Sequence, residues 1–215
     1  NTLISPQAKL MHDPKQTLNT KVDPYVVTEA KPNSFIFEIE NGLPAGICEE
    51  MIARFEHCEK DQYQGRVGQL ATEDKSIKRS TDLVVSGKDH WKDVDNYLFR
   101  SLALAMREIG KQFPYFKGGF KDVGYAIQRT NVGEYYHWHI DGGSHEFSQR
   151  QLVAVWYLNH VEGPGGETEF SYQDVKIKPE QGKLLLFPPF WTHEHRGVEL
   201  QQGIKYIATT WVVFA

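Results

Sequence analysis

The sequence predicts a mostly β, α+β fold: a jelly-roll or sandwich core supported by two N-terminal helices. Two segments between residues 44 and 112 carry apolar residues at helical spacing. After Phe120 the texture changes to short β-rich segments separated by turn residues, at 122–130, 134–141, 150–159, 168–177, 182–187 and 204–214. The bulk numbers agree with one domain that buries a core: 215 residues, 40% hydrophobic, 13% aromatic and 24% charged.

Composition also excludes some classes of function. No stretch is apolar for the roughly 18 residues that a membrane span needs, so no membrane partner is expected. A formal net charge of −4 supplies no general basic field. Nucleic-acid binding by bulk charge is therefore not expected, although a local basic groove stays open. The start of the chain carries no basic, then apolar, leader pattern, and the expected location is the cytoplasm. Cys48 and Cys58 lie about 15 Å apart along one expected helix, too far to bridge, and are read as reduced thiols.

Residues 1–34 are polar, punctuated by Pro6, Pro14, Pro24 and Pro32, and are read as an N-terminal arm with a short edge strand at Val26 and Val27. Residues 35–215 are read as a single domain whose jelly-roll core spans about 120–215. Ser34–Ile39 alternates as a strand does and runs into a turn at Asn41-Gly42. From Pro44, a favourable first-turn residue, Ile47, Met51, Phe55 and Cys58 recur as one helical stripe. Trp91, Val94, Leu98, Leu102, Ala105 and Ile109 form a second stripe over 91–112, and both helices are expected to pack on a sheet. The charged run Glu73–Arg79 between them reads as a solvated loop, and with the N-terminal arm it is expected to cover a substrate groove. Within 204–214, period-2 alternation sets Lys205, Ile207, Thr209 and Trp211 on one face, and in 150–159 it groups Val153, Val155 and Tyr157.

The residues that carry chemistry are His137-Trp138-His139-Ile140-Asp141 and, much later, His193-Glu194-His195. On an extended strand His137, His139 and Asp141 share a face, so they can converge on one metal while Ile140 turns away. Two histidines and one carboxylate on one face of a metal leave the opposite face free for substrate and oxygen. The spacing alone leaves open which histidine of each group ligates.

From Gly133 onward the order of residues resembles the prolyl 4-hydroxylase-like branch of the Fe(II)/2-oxoglutarate-dependent dioxygenases. The resemblance covers about residues 122–214. It rests on Gly133, Tyr136, His139-x-Asp141, Arg150, Tyr157-Leu158-Asn159, Gly165-Gly166-Glu167-Thr168-x-Phe170, Gly182, Phe187, His195, Gly203, Lys205 and Trp211. It implies a double-stranded β-helix (jelly roll), Fe(2+), 2-oxoglutarate and O2 as cosubstrate, with ascorbate as a candidate stimulant. The family's basic residue for 2-oxoglutarate follows the distal ligand at a fixed offset, and Lys205 lies ten residues after His195. The implied metal ligands and catalytic residues are therefore His139, Asp141 and His195.

The same resemblance assigns Lys205, with Tyr157, Thr168, Thr130 and Trp211, to the cosubstrate pocket, and Tyr136, Arg150, His137 and His193 to the substrate side. A buried ammonium would meet the far carboxylate of 2-oxoglutarate through a charge-assisted hydrogen bond. The chain departs from the family pattern at Arg129-Thr130, where an Arg-Tyr pair is usual, and at Glu199-Leu200, where Pro-Val often follows the distal histidine. The implied reaction is hydroxylation of an unactivated C–H bond, with a proline-containing peptide or protein as partner. Two other readings fit part of the pattern. A zinc metallohydrolase shares His-x-His-x-Asp, but its motif continues with histidine, where this chain has Gly142. A non-catalytic jelly-roll binding module would not need His139, Asp141, His195 and Lys205 all intact.

Overall fold

The structure, a computed structural model, describes residues 25–68 and 70–215. The proline-punctuated stretch up to Pro24 lies outside the described residues. Two antiparallel sheets face each other, and two helices cover the outer side of the larger one. The larger sheet runs β1 (Thr28–Glu29), β2 (Phe37–Ile39), β11 (Leu184–Phe187), β8 (Arg150–Tyr157), β13 (Lys205–Phe214), β6 (Ala126–Thr130), β4 (Thr81–Val84) and β3 (Tyr63–Gln64), with β5 (Phe120–Asp122) also pairing β13. The smaller sheet is β10 (Val175–Ile177), β9 (Thr168–Phe170), β12 (His195–Gly197) and β7 (Tyr136–His139).

Strand β8 shows why its sequence reads as a near-continuous apolar run: both faces are buried. Leu152, Ala154 and Trp156 join the cluster under the helices, whereas Val153, Val155 and Tyr157 face the smaller sheet with Phe170, Phe187 and Ile177. Helix α2 (Lys92–Gln112) buries Val94, Leu98, Leu102, Ala105 and Ile109, as its spacing predicts. It also buries Ser101, whose hydroxyl accepts from the Trp156 indole N–H (2.8 Å) and donates to the Gly42 carbonyl (2.6 Å).

Other expectations are corrected. Helix α1 (Ala45–His57) buries Cys48, Met51 and Phe55, so its core face is set by Cys48. Cys58 caps the helix and, like Ile47, packs partly buried against the same core. Residues 25–34, read as part of the arm, are tied to the domain: Thr28–Glu29 pairs with β2, and the Tyr25 hydroxyl donates to the Ser101 carbonyl at 3.0 Å. The segment 168–177 is a hairpin, β9 and β10, whose connection passes through Asp174 at φ 52°. No helix of the described residues is long and apolar enough to cross a membrane.

Replacing Ser101 by Ala leaves the buried Trp156 N–H without its acceptor. The expected cost is about 1–3 kcal/mol of unfolding free energy, read from the urea midpoint at unchanged slope. An unshifted midpoint would mean that the indole finds another partner.

Candidate metal centre and cosubstrate cavity

Strand pairing brings the two metal-binding stretches together. His195 opens β12 directly opposite His139, the last residue of β7. Asp141 follows β7, and its backbone N–H donates to the Pro189 carbonyl at 3.1 Å. In both histidines Nδ1 lies against the carbonyl two residues earlier, His137 at 2.7 Å and His193 at 2.9 Å. An N–H at Nδ1 satisfies those carbonyls and leaves each Nε2 lone pair free to ligate.

Those two Nε2 atoms converge on one carboxylate oxygen, Asp141 Oδ2, at 3.8 Å from His139 and 3.3 Å from His195. Oδ2 is buried and accepts no hydrogen bond. The other oxygen, Oδ1, accepts from the Trp211 indole N–H at 3.0 Å. Trp211 thus fixes the carboxylate and leaves one oxygen available. Burial, with His195 alongside, holds the His139 imidazole down to about 3, so it is neutral and able to donate its lone pair.

One ligand atom from each of the three residues fits within a 4.8 Å set. Two imidazole Nε2 atoms and a carboxylate oxygen with no hydrogen-bond partner suit a divalent first-row metal such as Fe(II). Cys58, Asp61 and His90 also lie within ligating distance of one another. There, however, Lys88 Nζ stands 3.5 Å from the Asp61 carboxylate and already supplies a cation.

Packing fixes the ligands from outside. The Tyr136 ring stacks on His139, centroids 3.5 Å apart and planes within 10°. Phe187 meets His195 edge-on at 4.7 Å. Arg150 is placed behind the centre rather than in the cavity. Its guanidinium lies between Phe147 and Trp211, 3.6 and 3.8 Å from the ring centroids, and donates to the Asp141 carbonyl at 2.8 Å.

A cavity of about 140 Å³ runs from this centre along the face of β13 that carries Lys205, Ile207, Thr209 and Trp211. Val153, Val155, Thr130, Thr168 and Tyr136 also line it. At its far end Lys205 is buried, and its ammonium donates to the Gly166 carbonyl at 2.6 Å. Burial pulls this ammonium down to about 8, against the opposing pull of Glu167. Gly165 and Gly166, at φ 87° and 82°, supply the left-handed turn that brings this carbonyl in. Thr130 sits across the ladder from Lys205. The Tyr157 hydroxyl, expected to reach the cosubstrate, is instead paired with Thr168 Oγ1 at 2.6 Å, beneath the lining.

Two expected substrate residues lie elsewhere. His137 is exposed and stacks on Tyr135, centroids 4.3 Å apart. With that ring turned outward, the described residues hold no second ligand group beside His139, which removes the binuclear zinc reading. His193 is buried with both ring nitrogens engaged: Nε2 lies 2.8 Å from the Ser34 carbonyl and Nδ1 2.8 Å from the Thr192 hydroxyl. It ties the chain before β2 to the loop that carries His195.

The charged run, expected to cover a substrate groove, contributes a wall of the cavity, though its individual residues were not singled out in the sequence. Lys78 and Arg79 line the cavity together with Arg66 and Ser80. Residues 77–79 run beside β7, with the Arg79 N–H donating to the Tyr135 carbonyl and the His137 N–H to that of Ile77. Lys78 and Asp82 form a buried pair at 2.8 Å, with the Ser80 hydroxyl on the other Asp82 oxygen at 2.7 Å. The alternation Lys78-x-Ser80-x-Asp82 was the available signal: three polar side chains on one face of a strand entering the sheet.

Comparison with known proteins agrees with this geometry. Residues 125–213 match the model of the 2OG-Fe(II) oxygenase superfamily. Among solved structures, a viral collagen prolyl hydroxylase from Paramecium Bursaria Chlorella virus-1 is 20% identical with a TM-score of 0.62, over 84% of this chain and 96% of that one. A prolyl hydroxylase from Trichoplax adhaerens, in complex with a hypoxia inducible factor oxygen degradation domain peptide fragment, is 19% identical with a TM-score of 0.71, over 85% of this chain and 84% of that one. A Pseudomonas putida prolyl-4-hydroxylase is 19% identical with a TM-score of 0.64, over 84% of this chain and 93% of that one. No curated protein matches the sequence significantly. These structures share the jelly-roll fold, and residues 125–213 are similar to the 2OG-Fe(II) oxygenase superfamily.

Proposed function

We propose that the protein hydroxylates a prolyl residue in a peptide or protein, with Fe(II) held by His139, Asp141 and His195 and 2-oxoglutarate seated against Lys205. One observation carries the reading: Asp141 Oδ2 is buried without a hydrogen-bond partner between two imidazole Nε2 atoms, in the cavity whose far end is the buried Lys205. With metal and cosubstrate bound, the chemistry supplied is coupled oxidation, in which 2-oxoglutarate, O2 and R–H give succinate, CO2 and R–OH.

The chain's own residues do the positioning. Trp211 holds Oδ1, so Asp141 ligates through one oxygen, and Arg150 fixes the backbone of the same residue. Lys205 meets the distal carboxylate of the cosubstrate, exchanging the Gly166 carbonyl for a full negative charge. Val153, Val155, Ile207 and Phe187 line the cavity with hydrocarbon, excluding water from the reacting atoms. The prolyl substrate is supported by the shared fold with prolyl hydroxylases, one of them in complex with a peptide fragment.

Purified protein given Fe(II), 2-oxoglutarate and O2 is expected to form succinate, and to add one oxygen to proline-containing peptides by mass spectrometry. His195→Ala is expected to abolish both and to lose Co(II) binding, whereas His193→Ala keeps the metal and loses stability. Metal loss in the His193 variant with retention in His195→Ala would reverse the ligand assignment.

Trp211→Phe keeps an aromatic wall but frees Oδ1. Metal affinity is expected to fall roughly 10- to 100-fold, measured by Co(II) titration on protein whose circular dichroism is unchanged.

Binding of 2-oxoglutarate should titrate with Lys205. Since the free ammonium is held down to about 8 and a bound carboxylate raises it, binding takes up a proton above that pH. The dissociation constant is expected to be flat below about pH 8 and to rise about tenfold per unit above it. Lys205→Met is expected to weaken binding roughly 10- to 100-fold and to remove the slope. A wild-type slope unchanged in this variant would place the titrating group elsewhere.

A further inference from the structure

The mouth of the cavity holds two arginines with no carboxylate partner. β3 and β4 pair Tyr63 with Asp82 and Gln64 with Thr81. The ladder continues through Gly65, whose N–H donates to the Ser80 carbonyl at 2.9 Å, and this register sets Arg66 opposite Arg79. Like charges directly opposite on a ladder repel. Among the described residues neither guanidinium lies within ion-pair distance of an Asp or Glu, although Arg54, Arg107, Arg129 and Arg196 all do.

Each guanidinium is nevertheless held in place. Arg66 lies over the Tyr63 ring at 4.9 Å and Arg79 over the Tyr135 ring at 5.5 Å, while Arg79 Nε donates to the Lys75 carbonyl at 3.2 Å. Stacking leaves guanidinium edges free to donate in the plane, the geometry that a carboxylate accepts. Both side chains are exposed and both line the cavity that reaches His139, Asp141 and His195. The other lining cations are committed: Lys78 is neutralised by Asp82, and Lys205 is buried with its ammonium on the Gly166 carbonyl. Two free guanidiniums on a chain of net charge −4 suit a single carboxylate, because a phosphate backbone needs a longer row of cations.

We propose that Arg66 and Arg79 form a carboxylate-recognition site at the cavity mouth, so that the preferred substrate is a peptide with Asp or Glu close to the residue to be hydroxylated. This rests on the dioxygenase reading above and names its substrate class. The anion would neutralise the opposed pair, and its distance in sequence from the target would set which residue enters.

The test uses fluorescein-labelled proline-containing peptides in matched pairs, with Glu or Gln at each of the three positions on either side of the proline. Binding to the full chain is read by anisotropy at two salt concentrations, with hydroxylation read in parallel by mass spectrometry. For at least one position the Glu peptide is expected to bind roughly five- to tenfold more tightly than its Gln twin. This advantage should shrink at high salt, disappear in Arg66→Ala/Arg79→Ala, and turn into a preference for a Lys twin in Arg66→Glu/Arg79→Glu. Melting curves check that the variants are folded.

Equal binding of every Glu/Gln pair, absence of binding, persistence of the preference in the double-alanine variant, or tighter binding of a single-stranded oligonucleotide would each overturn the proposal. Hydroxylation without a Glu preference defeats this inference alone. Failure of the wild-type protein to form succinate defeats the dioxygenase reading, and the anisotropy series still decides the carboxylate site.

Discussion

The site depends on the register in which β12 lies between β7 and β9. His195 stands opposite His139 on one side and Phe170 on the other. Because side chains alternate along a strand, a slip of one residue would turn the His195 imidazole out of the cavity and bring in Arg196. The pairing is irregular after His195, and Gly197 meets Tyr136. The ligand set is therefore a property of strand pairing first and of individual side chains second.

Around that register the inner space is divided by polarity. At one end imidazoles and a carboxylate converge, at the other Lys205 lies among buried residues, and hydrocarbon from β8, β11 and β13 separates them. Low polarity between the ends strengthens any interaction that a bound dicarboxylate makes at both. Trp211 belongs to both regions, since its ring is wall and its N–H is the fixed donor to Asp141. Arg150, on the opposite side of the indole from the cavity, supports ring and backbone together.

Much of this was legible in the sequence where one periodicity dominated. Helix α2, the shared face of Val153, Val155 and Tyr157 on β8 and the cavity face of β13 follow from spacing alone. The choice of His139, Asp141 and His195 followed from the resemblance through Lys205. What escaped detection was short or was fixed by distant partners. Strand β12 is His-Arg-Gly, three residues without β-formers, and exists because β7 and β9 flank it. Helix α1 offers apolar side chains on two neighbouring lines, and the sheet beneath selects Cys48 over Cys58. His137 shares a strand with His139, yet stacking on Tyr135 at the rim keeps it outside. The Lys78 region reads as solvated charge until Asp82 and the edge of β7 are brought against it.

Several uncompensated groups line one cavity, while others among the described residues, such as the buried Trp91 indole N–H, lie elsewhere. Asp141 Oδ2 is buried without a donor, Lys205 is buried against a neutral carbonyl, and Arg66 faces Arg79. Each would be cheaper to the fold as an apolar or neutral residue, because desolvation and like-charge repulsion oppose folding without return. By contrast, Lys78 is paired with Asp82, Lys183 with Glu38, and the buried Trp156 N–H with Ser101. A carboxylate oxygen, an ammonium and two guanidiniums that line one cavity are placed to be completed by what binds there.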